Sequence, residues 1–433
     1  MKRAIWSALK DWKQDTRRKP LILRGARQVG KTWLMKEFAR LAYDNFVYIN
    51  FEEHQLMKDL FVNDFDISRI LLAIHTFTGV KPDPGKTLII FDEIQEAERG
   101  LTSLKYFYEN APEYHVITAG SLLGIALHPN TSFPVGKVDF LDLYPLTFIE
   151  FLEAMDESRF VNLIQQQDWK MIALFKTKYI NLLKQYYYIG GMPEAVADFV
   201  KSHDFNEVRK IQQKILFTYE QDFSKHAPFD IVPRIRMVWN AIPSQLAKEN
   251  RKFIYGLLKQ GARAKDFELA IAWLKDCGLL HKVNRVSKPA LPLKAYEDFS
   301  TFKLFLVDVG LLVAMTSLDE KVLLEGNRIF EEFKGALTEQ YALQQLITDT
   351  NLNIAYWSSE RSDAEVDLLL QCKNEIIPVE VKAAENLHAK SLRMFVQKNR
   401  PSLAVRTSMS DFRKEDWLTN VPLYAISSLP GLL

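Results

Sequence analysis

Gly25-Ala26-Arg27-Gln28-Val29-Gly30-Lys31-Thr32 fills every fixed position of the spacing G-x-x-x-x-G-K-[ST], a pattern whose chemistry is the holding of a polyphosphate. Glycines let backbone N–H groups turn inward on phosphate oxygens, and a helix opening at the end of the loop presents its positive pole to them. Lys31 adds a point charge at the outer phosphates, and Thr32 offers a hydroxyl to Mg²⁺. Downstream, the apolar run Leu88-Ile89-Ile90-Phe91 ends in Asp92-Glu93. An acid at the carboxyl edge of a buried strand lies where ligands gather in open α/β sheets, so Asp92 is expected in the magnesium shell. Glu93 is the natural group to orient or deprotonate an attacking water. A further run, His115-Val116-Ile117-Thr118, leads to Ala119-Gly120-Ser121. There Ser121 either senses the terminal phosphate or belongs to a Gly-Ser turn that touches no ligand. The expected ligand is ATP with Mg²⁺, and the expected reaction is hydrolysis.

A second constellation lies near the carboxyl end. Glu365-Val366-Asp367 belongs to one hydrophobic-rich strand and Pro378-Val379-Glu380-Val381-Lys382 to the next, with polar turn residues from Gln371 to Glu375 between them. Side chains alternate along a strand, so Glu380 and Lys382 share a face. If the strands pair, Asp367 approaches Glu380, and the two carboxylates form a hard-oxygen site suited to Mg²⁺ or Mn²⁺. Glu339, on the preceding helix, would complete the acidic cluster. Such a metal activates water and stabilises the oxygens of an in-line phosphodiester displacement, with Lys382 as electrostatic or proton-transfer partner. The competing reading is an edge hairpin whose acids and lysine form a solvated salt-bridge ladder.

The elements that must position these groups are legible as patterns. The apolar Leu21-Ile22-Leu23, the glycine loop and a helix-like segment from Lys31 to Ala42 give strand, loop, helix. Further β-type runs at 46–51, 87–91 and 115–118 alternate with helical patterns, as in a parallel sheet covered on both faces. This predicts an α/β domain over residues 1–145. Residues 146–225 read as a helical lid or connector, broken at Gly190-Gly191 and Pro193. Residues 226–325 hold two helical segments joined near Gly261 and then a β-type run, the order of a winged helix, followed by a proline-bearing linker. Residues 326–433 give a helix (328–347), β-type runs at 353–358, 364–370 and 375–382, and a helix carrying Lys390, Arg393 and Lys398. That is the order of a restriction-endonuclease core.

Composition sets outer limits. The 433 residues exceed what one core usually organises. With 56 Lys and Arg against 54 Asp and Glu, the formal charge is only +2, so nucleic-acid binding would need local patches. Arg251, Lys252, Arg263, Lys265, Lys275 and Lys282 offer one such patch in the winged-helix region, although tri-helical units also serve as lids. Cys277 and Cys372 form no Cys-x-x-Cys pair, which points to a reducing compartment. No apolar run approaches the roughly 20 residues of a membrane helix, and the amino terminus has no secretory pattern. A cytoplasmic protein without membrane contact is expected.

Taken together, the sequence resembles, over nearly its whole length, the prokaryotic ATP-binding proteins that join an AAA-type ATPase domain to a carboxyl-terminal DUF4143 domain. The resemblance rests on Gly25 to Thr32, Leu88 to Glu93, Gly120-Ser121, Leu143-Tyr-Pro-Leu-Thr-Phe-Ile-Glu150, Gly190-Gly-Met-Pro193-Glu194, Asp308-Val-Gly310-Leu-Leu, Glu365-Val-Asp367 and Glu380-Val-Lys382. It implies a P-loop fold of the ASCE type with Walker A, Walker B and sensor-like positions, a winged-helix region, and a terminal domain like the PD-(D/E)xK nucleases. Where the family usually places an arginine, this chain has Lys137 after Gly136, which reproduces an arginine's rigid fork only in part; Arg234 and Arg236 are weak substitutes. Three readings follow: an ATPase gating a nuclease-like, DNA-interacting domain; an ATP-controlled switch whose terminal domain is a non-catalytic protein- or nucleic-acid-binding module; and a nucleic-acid-binding regulator that turns ATP over slowly. DNA, another protein and self-association are the candidate partners besides ATP.

Overall fold

The computed structural model describes residues 1–120, 134–248, 251–323, 331–349, 351–359, 364–385 and 389–432, the side chains of 331 and 332 excepted. The chain divides into two compact units. One comprises Lys2–Tyr144 with Asp276–Gly278, and the other comprises Pro145–Lys275 with Leu279–Leu433.

The first unit is built on five parallel strands: β1 (Leu21–Arg24), β2 (Asn45–Asn50), β3 (Thr87–Asp92), β4 (His115–Ala119) and β5 (Asp139–Asp142), in the order β2-β3-β4-β1-β5. Every residue of β3 and β4 is buried, which is why these strands read as unbroken apolar runs rather than as an alternation. Phe51, Phe61, Phe91 and Phe107 pack edge to face or tilted, with ring centroids 5.5–5.9 Å apart, beneath the helices Ile67–Thr78 and Gly100–Asn110. The register sets Asn50 opposite Asp92 and Asp92 opposite Ala119. The carboxyl ends of β2, β3 and β4 therefore finish level, and an acid at the end of β3 stands at the mouth of the sheet.

The second unit begins with helices, among them Phe148–Ala154, Lys176–Ile189, Pro193–Ser202 and the long Phe205–His226. The motif residues Gly190-Gly191 and Asp308-Val-Gly310 meet in its interior. Asp308 Oδ1 accepts the Gly191 N–H at 2.6 Å and the Gln344 side-chain amide at 3.0 Å, while Oδ2 accepts the Leu311 N–H at 3.0 Å. A Cβ on Gly310 would lie 2.5 Å from the Gly190 nitrogen, so glycine there is a condition of the approach.

Its eight-stranded sheet has the order β12-β13-β11-β10-β9-β8-β6-β7. These are β6 (Leu280–Val286), β7 (Glu297–Leu306), β8 (Leu352–Ser358), β9 (Glu365–Cys372), β10 (Glu375–Val381), β11 (Val405–Ser408), β12 (Arg413–Lys414) and β13 (Thr419–Pro422). The structure departs here from the sequence expectation. Helices Val232–Leu246 and Ala264–Asp276 do precede an antiparallel β6–β7 pair, but that pair is not a freestanding wing. β6 runs parallel to β8, with Arg285 opposite Tyr356, so one sheet crosses the expected boundary at 325/326. The segment expected as a linker contains β7, whose last six residues are all buried, as a strand covered on both faces must be. No helix among the described residues is long and apolar enough to cross a membrane.

One buried histidine gives the first unit a predictable acid response. His115 opens β4 with Nδ1 2.8 Å from the Tyr43 hydroxyl and its ring edge-on to Trp12, and burial pushes its pKa down from 6.5 to about 4. Below pH 6.5 the unfolded chain takes up a proton that the folded one refuses, so stability is lost as pH falls from 6.5 towards 4. Replacing His115 by Phe should cost about 1 kcal/mol at pH 7 through the lost Tyr43 bond, yet flatten the decline in melting temperature across that window. An unchanged slope would show that His115 does not set it.

Candidate functional site

The phosphate loop is held open by backbone geometry that its sequence makes possible. Gly25 adopts φ +151°, and a Cβ on it would lie 2.2 Å from the Leu143 carbonyl oxygen. Gln28 and Gly30 also take positive φ, 64° and 92°, and the helix Lys31–Ala42 starts directly after Gly30. Val29 and Ala26 are buried. Arg3 fixes the loop from behind, donating to the Val29 carbonyl at 3.2 Å and the Tyr144 carbonyl at 2.5 Å.

Lys31 lies folded back on this loop, its ammonium donating to the carbonyls of Gly25 at 2.9 Å and Ala26 at 2.8 Å. Burial lowers its pKa to about 8, against the pull of Glu93 and Asp92. A desolvated ammonium satisfied by neutral carbonyls has an unmet demand for negative charge, which a polyphosphate supplies. Thr32 Oγ1 donates to Asp92 Oδ2 at 2.7 Å, bringing together a hydroxyl and a carboxylate of the kind Mg²⁺ takes. Glu93 sits in the left-handed region at φ 50°, a conformation that costs a non-glycine residue on the order of 1 kcal/mol and is characteristic of functional sites. Gln95 donates to its Oε2 at 2.5 Å, and burial raises the Glu93 pKa. Ser121 lies outside the described residues.

Tyr48 is a member of this site that sequence reasoning missed. Its hydroxyl donates to the same Asp92 oxygen as Thr32, at 2.9 Å, and the Lys36 ammonium lies 3.5 Å from its ring centroid. The available signal was positional: Tyr48-Ile-Asn50 ends a strand level with Asp92. Lys137, where an arginine was expected, pairs with Glu109 at 3.0 Å.

In the second unit, β9 and β10 pair antiparallel with Leu368 opposite Val379. Asp367 Oδ2 accepts the Val381 N–H at 2.8 Å, so Asp367 and Glu380 are brought together. Lys382 donates to Glu380 Oε1 at 2.5 Å, while the buried Oε2 has no hydrogen-bond partner among the described residues. Burial, and then repulsion by Asp367, push Glu380 up to about 7; burial and Glu339 raise Asp367. Lys382 is held above its ordinary pKa by Glu380, although burial opposes this.

Glu339, expected to complete the acidic cluster, is engaged by cations of the chain. It is fully buried on the helix Glu331–Leu346, with Oε1 bound to the Lys303 ammonium at 2.8 Å and Oε2 to the Arg251 guanidinium. Lys303, itself fully buried on β7, also holds Glu365 at 2.6 Å and lies 4.8 Å from the Tyr356 ring centroid. A carboxylate this far from water keeps its charge only through such partners. Both its oxygens face cations supplied by the chain, and no group of three His, Cys, Asp or Glu among the described residues is arranged to hold a metal ion. Arg251, expected among cations facing nucleic acid, is engaged here instead. The missed signal was Lys303 itself, a lysine inside the apolar run Phe302-Lys303-Leu304-Phe305-Leu306. Lys390, Arg393 and Lys398 do lie exposed on the helix Lys390–Asn399.

Comparison with known proteins agrees with the architecture of the first unit. Residues 17–152 match the family model described as an AAA domain, residues 334–426 that of the domain of unknown function DUF4143, and residues 180–322 that of the domain of unknown function DUF8612. No curated protein matches the chain. Among solved structures, the Walker-type ATPase of Pyrococcus abyssi is 14% identical with a TM-score of 0.46, covering 72% of this chain and 94% of its own. The RuvB Holliday junction branch migration motor of Thermotoga maritima is 16% identical with a TM-score of 0.29, covering 64% and 86%. The Aeropyrum pernix ORC1 protein, solved in complex with DNA, is 13% identical with a TM-score of 0.26, covering 72% and 90%. The chain thus has a region matched as an AAA domain, built on a parallel α/β sheet, and a region matched as DUF4143.

Proposed function

We propose that this chain is a Mg²⁺-dependent ATPase whose nucleotide state governs its carboxyl-terminal domain. The observation that carries the reading is the desolvated Lys31 on the carbonyls of its own loop, beside the Thr32–Asp92 pair. On binding, phosphate oxygens replace the Gly25 and Ala26 carbonyls as partners of Lys31. Thr32 and Asp92 are the residues that would hold Mg²⁺, with Tyr48 fixing the shared Asp92 oxygen. When bound, the ion neutralises and orients phosphate oxygens. Glu93, steadied by Gln95 and made more basic by burial, positions the attacking water and accepts its proton.

The terminal domain supports a narrower reading, a DNA-directed phosphodiester site using one divalent cation. Asp367 and Glu380 Oε2, which has no hydrogen-bond partner among the described residues, are the donors, with Lys382 beside them. The order of helix, three strands, helix and strand over 331–408 and the exposed Lys390, Arg393 and Lys398 favour a nucleic-acid backbone as substrate. Exposed Arg263, Lys265 and Lys275 on or beside the helix Ala264–Asp276 extend that basic character to the winged-helix-like segment. The neutralisation of Glu339 by Lys303 and Arg251 favours a second reading, in which the domain is a non-catalytic module that binds a protein. Cys277 and Cys372, which belong to no Cys-x-x-Cys pair, match a cytoplasmic setting.

Lys31→Ala should weaken ATP binding about tenfold or more, the loss of a charge-assisted bond. Glu93→Gln should keep the affinity and slow turnover about a hundredfold. Equilibrium nucleotide binding and steady-state phosphate release separate the two, and a Lys31→Ala chain with unchanged affinity would remove the phosphate-site assignment. Purified wild type should cleave DNA with Mg²⁺ or Mn²⁺ in a manner that depends on ATP, and Asp367→Ala should abolish cleavage. Absence of cleavage under every condition would favour the binding module.

A further inference from the structure

The terminal cluster sets four carboxylates, Glu339, Glu365, Asp367 and Glu380, against three cations, Lys303, Arg251 and Lys382. The charges are not evenly shared. Glu339 has cations on both oxygens and Lys303 bridges it to Glu365, whereas Asp367 meets a backbone N–H and Glu380 keeps one oxygen without a hydrogen-bond partner among the described residues. A fully buried ammonium contacting two carboxylates at 2.8 and 2.6 Å occupies the position that a bridging metal ion would need.

We propose that Lys303, seconded by Arg251, is a built-in cation that takes up the Glu339–Glu365 side of the cluster. Those two carboxylates then hold no divalent ion, and any divalent site in the domain is confined to Asp367 and Glu380. The geometry gives three grounds. Lys303 is enclosed on β7, a strand of the same sheet as Glu365, so it cannot swing out to yield its place as a surface lysine would. The Tyr356 ring offers its face to the ammonium at 4.8 Å, a contact that favours a cation where water is excluded. Arg251 closes on the second Glu339 oxygen, so each oxygen of this fully buried carboxylate faces a cation of the chain. A lysine cannot polarise a water as a divalent ion does, so this side of the cluster serves as structure, and two-metal phosphodiester chemistry is denied to the site.

The test is a count of Mn²⁺ ions per full-length chain by electron paramagnetic resonance, without nucleotide and in a Thr32→Ala background that silences the phosphate site. Glu339→Gln should leave the number and affinity of bound ions within twofold of the parent, because Glu339 is not a ligand. Lys303→Met, which removes the charge at similar length, should gain one Mn²⁺ per chain and be stabilised by millimolar Mn²⁺, with the melting temperature raised by about 3 °C or more. A Lys303→Met chain that folds only with Mn²⁺ present would count as the same gain. A tenfold loss of Mn²⁺ affinity in Glu339→Gln would overturn the proposal, and so would a folded Lys303→Met chain that gains no ion; should that variant not fold at all, Glu339→Gln decides alone. Loss of a parent ion in Asp367→Asn tests the one-cation reading separately and leaves the Lys303 comparison intact.

Discussion

The larger unit depends on the buried carboxyl of Asp308. It ties the turn after one helix (Gly191), the amino end of another (Leu311) and a side chain from a third (Gln344) through three hydrogen bonds. Burial raises its pKa, and those donors pull it back down. Each bond to a charged group is worth about 1.5–3 kcal/mol, so the joint rewards only the arrangement in which all three elements are docked. Gly190 and Gly310 are part of the same condition, since their backbones approach too closely for a side chain. These motif residues join elements of the fold, although they stand in the sequence as prominently as the phosphate loop does.

The nucleotide site works by a comparable economy of partners. One oxygen of Asp92 receives both the Thr32 and the Tyr48 hydroxyls, so the acid is oriented before any ion arrives. Lys31 is oriented too, by the carbonyls of Gly25 and Ala26. Preorganisation of this kind lowers the reorganisation cost of charge transfer in a water-poor site.

The phosphate loop, its strand and its helix were readable because each is a local pattern: glycine at strained φ, an apolar run, and a helix at Lys31–Ala42 that the residues specify without help from elsewhere. Asp92 and Glu93 were readable for the same reason, since a fully buried strand announces itself and its end. Tyr48 was not, because its role comes from register between strands 42 residues apart in the chain, as Asn50 opposite Asp92 shows. The terminal acids were found by spacing, but the cations that neutralise Glu339 come from positions 251 and 303, and pairing over such separations leaves no periodic trace. β7 was missed because prolines upstream and a lysine within its apolar run disguise a strand buried on both faces.

The border between the regions matched as DUF8612 and DUF4143 falls within a single sheet. Recombination near residue 325 would separate β8 from the edge it shares with β6, and would part Glu339 and Glu365 from the lysine that neutralises them. The two regions are therefore one unit of folding: a change of charge at 303 on one side leaves the carboxylates at 339 and 365 on the other without their shared cation.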